Sequence, residues 1–116
     1  MLLFWLFTKH LIVDFFLQRP YQWMNKGTYG HPGGLEHAGL HAAATAFIVA
    51  LLGLGLPAAL AVGLLDGVVH YHIDWAKMNV NKHYGWKAES SEKFWWLLGA
   101  DQYLHTLTYL GIASLV

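Results

Sequence analysis

Histidine and aspartate recur four residues apart along the whole chain: His10 with Asp14, His37 with His41, Asp66 with His70, His70 with Asp74, and Asp101 with His105. Four residues are about one turn of an α-helix, so each pair shares a face and aims two nitrogen or oxygen ligands at one point. Gln18 extends the first pair by another turn, and Lys77 continues the Asp66, His70, Asp74 stripe. Carboxylates with neutral imidazoles are ligands for divalent metals, zinc first and iron or manganese next. The chain has no cysteine, which removes thiolate ligands and disulfides. The expectation is one or two divalent ions held by His10, Asp14, His41, His70, Asp74, Asp101 and His105. His37 is a weaker member, one turn closer to the interface.

If such an ion is catalytic, the chemistry is hydrolysis by a metal-activated water of an ester or phosphoester in a lipid or lipid-linked substrate entering from the cytoplasmic leaflet. Asp101 or Asp66 then serves as ligand or general base, and Lys77 meets an anionic headgroup. Competing readings use the same residues. A non-enzymatic membrane factor, such as an envelope modifier or an ion or proton relay, needs only a structural metal or a hydrogen-bonded polar core. A relay also needs a polar stripe to the far side, and "LLGLGLPAALAVGLL" carries no ionisable group before Asp66. A haem or pigment binder ranks last, because carboxylates beside the histidines compete for the space of a macrocycle.

The elements that must position these residues are apolar. The 116 residues are 56% hydrophobic and 12% charged with a net charge of +0, which fits one integral membrane domain and leaves no basic excess for nucleic acid. Four apolar stretches, about 1–18, 36–54, 57–79 and 90–116, are each long enough to approach a hydrocarbon core of ~30 Å. The first has no basic leader and no small-residue cleavage site, so it reads as a retained span. The expected fold is all-α, a four-helix transmembrane bundle with up-down topology. A soluble bundle is the alternative, disfavoured because the run 38–65 leaves no polar outer face.

Arg19, Lys26, Lys77, Lys82, Lys87 and Lys93 lie in or beside the connections 19–35 and 80–90. The excess of basic residues places those connections in the cytoplasm and both termini on the other side of an inner membrane. Tyr21, Trp23, Trp75, Trp86, Trp95 and Trp96 flank the same end as an interfacial belt. Lys9 falls midway along the first span, where it must pair, snorkel or line the interior. In an up-down bundle the His/Asp pairs fall late, early, late and early along successive helices, so all lie within a few turns of one layer. Lys9 and Lys77 are the only lysines expected near the four aspartates, and two lysines cannot neutralise four carboxylates. His72 points away from His70, and His31 and His83 are expected in loops.

The ordered motifs "HLIVDFFLQ" at 10–18, "HAGLH" at 37–41, "HYHIDWAK" at 70–77 and "DQYLH" at 101–105 resemble those of a family of small bacterial and phage membrane proteins known as domain of unknown function 3307. The resemblance covers nearly the whole chain. It implies a small multi-helix membrane protein with membrane lipids around it and a polar constellation at His10, Asp14, His41, His70, Asp74, Asp101 and His105. It implies no reaction. More distantly, the pattern is similar to membrane-embedded metal-dependent hydrolases.

Overall fold

Proline and glycine set most of the helix ends. The computed structural model describes Met1–Val116, as helices without strands. Helix α1 (Leu2–Leu11) runs directly into a π-helical turn, Ile12–Phe16; α2 (Pro20–Trp23) is a single turn; α3 spans Pro32–Leu51, α4 spans Leu56–Tyr84 and α5 spans Glu92–Leu115. Prolines occupy the first turns of α3 and α4, where the missing N–H has no helical partner to lose. His31 caps α3 by accepting from the Gly33 N–H at 2.9 Å, and Ser91 caps α5 by accepting from that of Lys93 at 3.3 Å. Helix α4 stops at Gly85, whose φ of 68° closes a left-handed cap.

Several boundaries differ from expectation: α3 begins at Pro32 rather than near residue 36, and the turn α2 falls inside the expected connection 19–35. Nothing before Gly85 breaks α4, so it continues about a turn beyond residue 79 and carries His83 on its exposed last turn rather than in a loop. The first element ends at Phe16, and α1 with its π-helical turn rises only about 22 Å, less than the ~30 Å of a hydrocarbon core.

Helix α1 packs on α3 and α5, and α4 packs on the same two, so the long elements form a ring with α1 and α4 facing each other across the middle. The tightest seam lies between α3 and α4. A Cβ at Gly63 would stand 2.7 Å from the Ala42 carbonyl oxygen, and one at Gly67 would stand 2.8 Å from the Ala42 Cβ. Small residues four apart let two backbones approach in this way.

The interior is layered. At the end holding the chain termini, Leu6, Val49, Ala59, Val62, Tyr109 and Ile112 form the apolar core. Beyond them nearly every buried side chain is polar: Lys9, Thr45 and Asp66 first, then the histidines and remaining aspartates. The outer surface is apolar, with Phe16, Phe47, Leu51, Leu60 and Leu64 all exposed. Helices α3 and α4 are long and apolar enough to cross a membrane.

Candidate metal centre

Asp14 stands on the π-helical turn, where the i+5 bond from Leu17 N–H to the Ile12 carbonyl at 2.9 Å replaces the usual i+4 pattern. Such turns shift the register of the following side chains and recur at functional sites. Across the ring, α3 supplies His37 and His41 and α4 supplies His70. One ligand atom from each of these four residues lies within 4.8 Å of all the others, and all four side chains are buried. The Nε2 atoms of His37, His41 and His70 stand 2.9, 3.3 and 3.3 Å from Asp14 Oδ1. The Nε2 atoms of His37 and His70 are 3.1 Å from each other. A tetrahedral ion with bonds of about 2.0–2.1 Å holds neighbouring ligand atoms about 3.3 Å apart, so these separations match the edges of a coordination polyhedron.

Two more groups adjoin the first: His10, His70 and His105, which shares His70 with it, and Asp74, Asp101 and His105, which shares His105 with the second. Asp74 links them. Its Oδ2 lies 3.1 Å from His70 Nε2 and 3.4 Å from His37 Nε2, and its Oδ1 lies 3.3 Å from His105 Nε2. His105 Nε2 is also 3.4 Å from Asp101 Oδ1, a buried oxygen with no hydrogen-bond partner. The His70 ring stacks on His41 at 3.6 Å and on His105 at 4.2 Å, so the histidines of α3, α4 and α5 meet in one interior.

Surrounding amides assign the imidazole tautomers. Gln22 Nε2 donates to Glu36 Oε1 at 3.0 Å, and Arg19 binds the same oxygen, which leaves Gln22 Oε1 to accept from His37 Nδ1–H at 3.3 Å. The neutral His37 ring therefore presents a bare Nε2 lone pair to Asp14 Oδ1. His10 has the opposite assignment. Gln102 Nε2 donates to Asp101 Oδ2, so Gln102 Oε1 accepts from His10 Nε2–H at 3.0 Å, and His10 Nδ1 accepts from Tyr109 O–H at 2.7 Å. His41 Nδ1 accepts from Lys9 Nζ at 2.9 Å, which makes its Nε2–H a donor to Asp14. His41 thus holds Asp14 by a hydrogen bond and His10 lies beside it, its one N–H given to Gln102, while His37 and His70 have the positions of ligands.

Each sequence-derived candidate has a place in this arrangement. His10, Asp14, His37, His41, His70, Asp74, Asp101 and His105 converge, with His37 central rather than peripheral. Asp66 joins none of the ligand groups: it lies deeper and pairs with Lys9 at 2.5 Å, its Oδ2 also accepting from Thr45 at 2.6 Å. Lys77 reaches Asp101 Oδ2 at 3.3 Å. His72 faces outward, accepting from Tyr29 O–H at 2.9 Å.

Sequence reasoning missed Lys26. It is buried and donates to Asp74 Oδ2 at 3.2 Å and to Gln18 Oε1 at 2.9 Å, although it belongs to a connection expected to be solvated. Three lysines therefore answer Asp66, Asp74 and Asp101, and the expected imbalance of two lysines against four carboxylates narrows to three against four. One carboxylate, Asp14, has only imidazoles for partners. Gln22, Gln102, Thr45 and Tyr109 were also missed, yet Thr45 and Tyr109 stand four residues after His41 and His105 and continue the same stripes.

Fold and site together define an all-helical protein, part of it apolar enough to cross a membrane, with buried His/Asp groups able to hold a metal ion. The chain belongs to the family described as protein of unknown function DUF3307, whose model matches residues 2–116. No curated protein and no solved structure matches it.

Proposed function

We propose that this is a four-helix inner-membrane protein whose interior binds a divalent ion, zinc ahead of iron or manganese, through Asp14, His37 and His70 with Asp74 at the edge. The observation that carries the reading is the 2.9 Å separation of His37 Nε2 and Asp14 Oδ1, two atoms that each present a lone pair when the ring is neutral. A positive charge must lie between them. A proton on His37 satisfies that one contact, but His70 Nε2 lies within 3.3 Å of His37 Nε2, Asp14 Oδ1 and Asp74 Oδ2. Two ring N–H groups side by side repel, whereas a shared cation draws both lone pairs. Once bound, the ion supplies a cross-link between the first, third and fourth helices.

The membrane part of the reading is supported by inverted burial, polar inside and apolar outside, since a water-soluble bundle hides its large apolar side chains. Positive residues at the end holding the α4–α5 connection favour a cytoplasmic side for that end. The chain has no cysteine of its own, so a single His83→Cys substitution on an exposed position reports sidedness. A membrane-impermeant maleimide is expected to label it in inverted vesicles and not in intact cells; labelling from outside overturns the orientation.

A lipid-directed hydrolase ranks behind a structural centre. Catalytic sites keep a coordination position open, and here Asp14, His37, His70 and Asp74 are all enclosed by protein. Elemental analysis of the detergent-purified protein tests the metal directly. About one equivalent of divalent metal is expected. A strong chelator is expected to lower the melting temperature by at least about 5 °C, as loss of a ligand present at ~100 times its Kd requires. A protein free of stoichiometric metal and indifferent to the chelator overturns the metal reading and leaves a protonated His37.

A further inference from the structure

Lys77 differs from the other two interior lysines. Lys9 is held by Asp66 and His41, and Lys26 by Asp74 and Gln18. Lys77 makes one hydrogen bond, to Asp101 Oδ2, and its side chain stays 19% exposed. It lines a cavity of about 300 Å³ between α4 and α5, walled by Trp23, Phe94, Leu97 and Leu98. Asn81, one turn further along the same face of α4, lines this cavity as well, and its Oδ1 is buried without a hydrogen-bond partner. A second cavity of about 300 Å³ meets the first at Met78 and Asn81, and its lining is more polar, with Thr28, Asn79 and Lys82. The result is an apolar recess with a polar mouth at the end that carries the basic connections. A residue with an ammonium that has unused N–H donors, Lys77, and one with an unsatisfied acceptor, Asn81, thus line the recess together.

We propose that this recess binds the headgroup of an anionic, hydroxyl-bearing phospholipid of the glycerol type. The phosphate oxygens accept from Lys77, a headgroup hydroxyl donates to Asn81 Oδ1, and the first acyl carbons lie against Trp23, Phe94 and Leu97. Charge complementarity favours an anion over a zwitterion: with a divalent ion in place, three lysines and the metal outweigh four carboxylates by one positive charge, which an anionic headgroup cancels. The apolar walls favour a lipid over a free anion, since inorganic phosphate would leave them in contact with water. The proposal rests on the membrane and metal readings above.

Native mass spectrometry of the full chain in detergent micelles tests it, with phosphatidylglycerol, phosphatidylcholine and inorganic phosphate as separate probes. One phosphatidylglycerol per chain is expected, bound at least about 10-fold more tightly than phosphatidylcholine. Lys77→Met and Asn81→Leu should each weaken it by about 10-fold, and Lys87→Met on the exposed connection should not. Asn81→Leu leaves the Lys77–Asp101 pair intact, so its loss of binding is not attributable to a disturbed fold. Equal binding of phosphatidylcholine, an equal loss in Lys87→Met, or saturation by inorganic phosphate overturns the proposal. Carbonate extraction of cell membranes separates the two readings: a chain retained in the membrane that shows no lipid preference refutes the headgroup site alone, whereas a chain released into solution refutes both.

Discussion

Asp14→Asn is expected to strip the bound metal, weakening it by more than about 100-fold, the upper end of what even outer-shell substitutions cost. Asp66, Asp74 and Asp101 each have a lysine within 3.3 Å, whereas the partners of Asp14 are imidazoles: His37, His41 and His70 on Oδ1 and His10 on Oδ2. Asparagine keeps the shape and one acceptor oxygen, so His41 can still donate to it, but it brings no negative charge and its NH₂ is a donor where an oxygen ligand stood. The helices should therefore assemble with unchanged helix content while the stabilisation by metal disappears. The decisive reading is a difference of differences. In the wild type, melting temperature should fall on chelation; in Asp14→Asn it should already be low and should not respond. Titration of both proteins against a chromophoric chelator gives the affinities. A variant that retains the wild-type metal content and the wild-type response to chelation removes Asp14 from the centre, and the ion must then belong to Asp74, Asp101 and His105.

Much of this site was legible in the one-turn spacing of His and Asp, because a helix converts that spacing into a face with no help from the rest of the fold. The depth of the pairs along their helices was enough to place them in one layer. What could not be read depends on contacts between distant segments. Lys26 lies in "NKGTYG", a stretch with every mark of a solvated loop; only the docking of α2 against α3 carries it under the bundle to Asp74. The π-helical turn at Asp14 has no breaker residue to announce it. The role of each histidine was also hidden, because the pattern i, i+4 does not distinguish a ligand from a hydrogen-bond donor. Gln22 and Gln102 make that distinction, one by accepting from Nδ1 of His37 and the other by accepting from Nε2 of His10. The charge count was short by Lys26 for the same reason, and the single carboxylate still without a lysine, Asp14, now carries the case for a cation together with the tautomers.

Lys9→Met should be the most destabilising single substitution, at about 3–5 kcal/mol, the range for removing one partner of a buried ion pair. Lys9 and Asp66 lie 2.5 Å apart with side chains 5% and 1% exposed, next to the apolar core. The ammonium also sits 4.8 Å from the Tyr109 ring centroid, a further interaction that only a cation makes. Without Lys9, Asp66 keeps the hydroxyl of Thr45 at 2.6 Å and nothing else, since its Oδ1 is already unpartnered. Asp66→Asn is the milder change, because an amide oxygen still accepts from Thr45. The double variant Lys9→Met with Asp66→Asn removes both charges and should recover most of the loss, giving a coupling energy of several kcal/mol. The alternative is a neutral pair in which the proton has moved from Lys9 to Asp66. Hydrogen bonds between neutral groups in membrane helices average only about 0.6 kcal/mol in such cycles and rarely exceed about 1.7. Unfolding of all four proteins in mixed micelles, with the chelator present so that the metal does not contribute, therefore separates the two states of the pair: a coupling below about 1.7 kcal/mol means a neutral hydrogen bond, and a larger one means that two full charges face each other at the base of the polar layer.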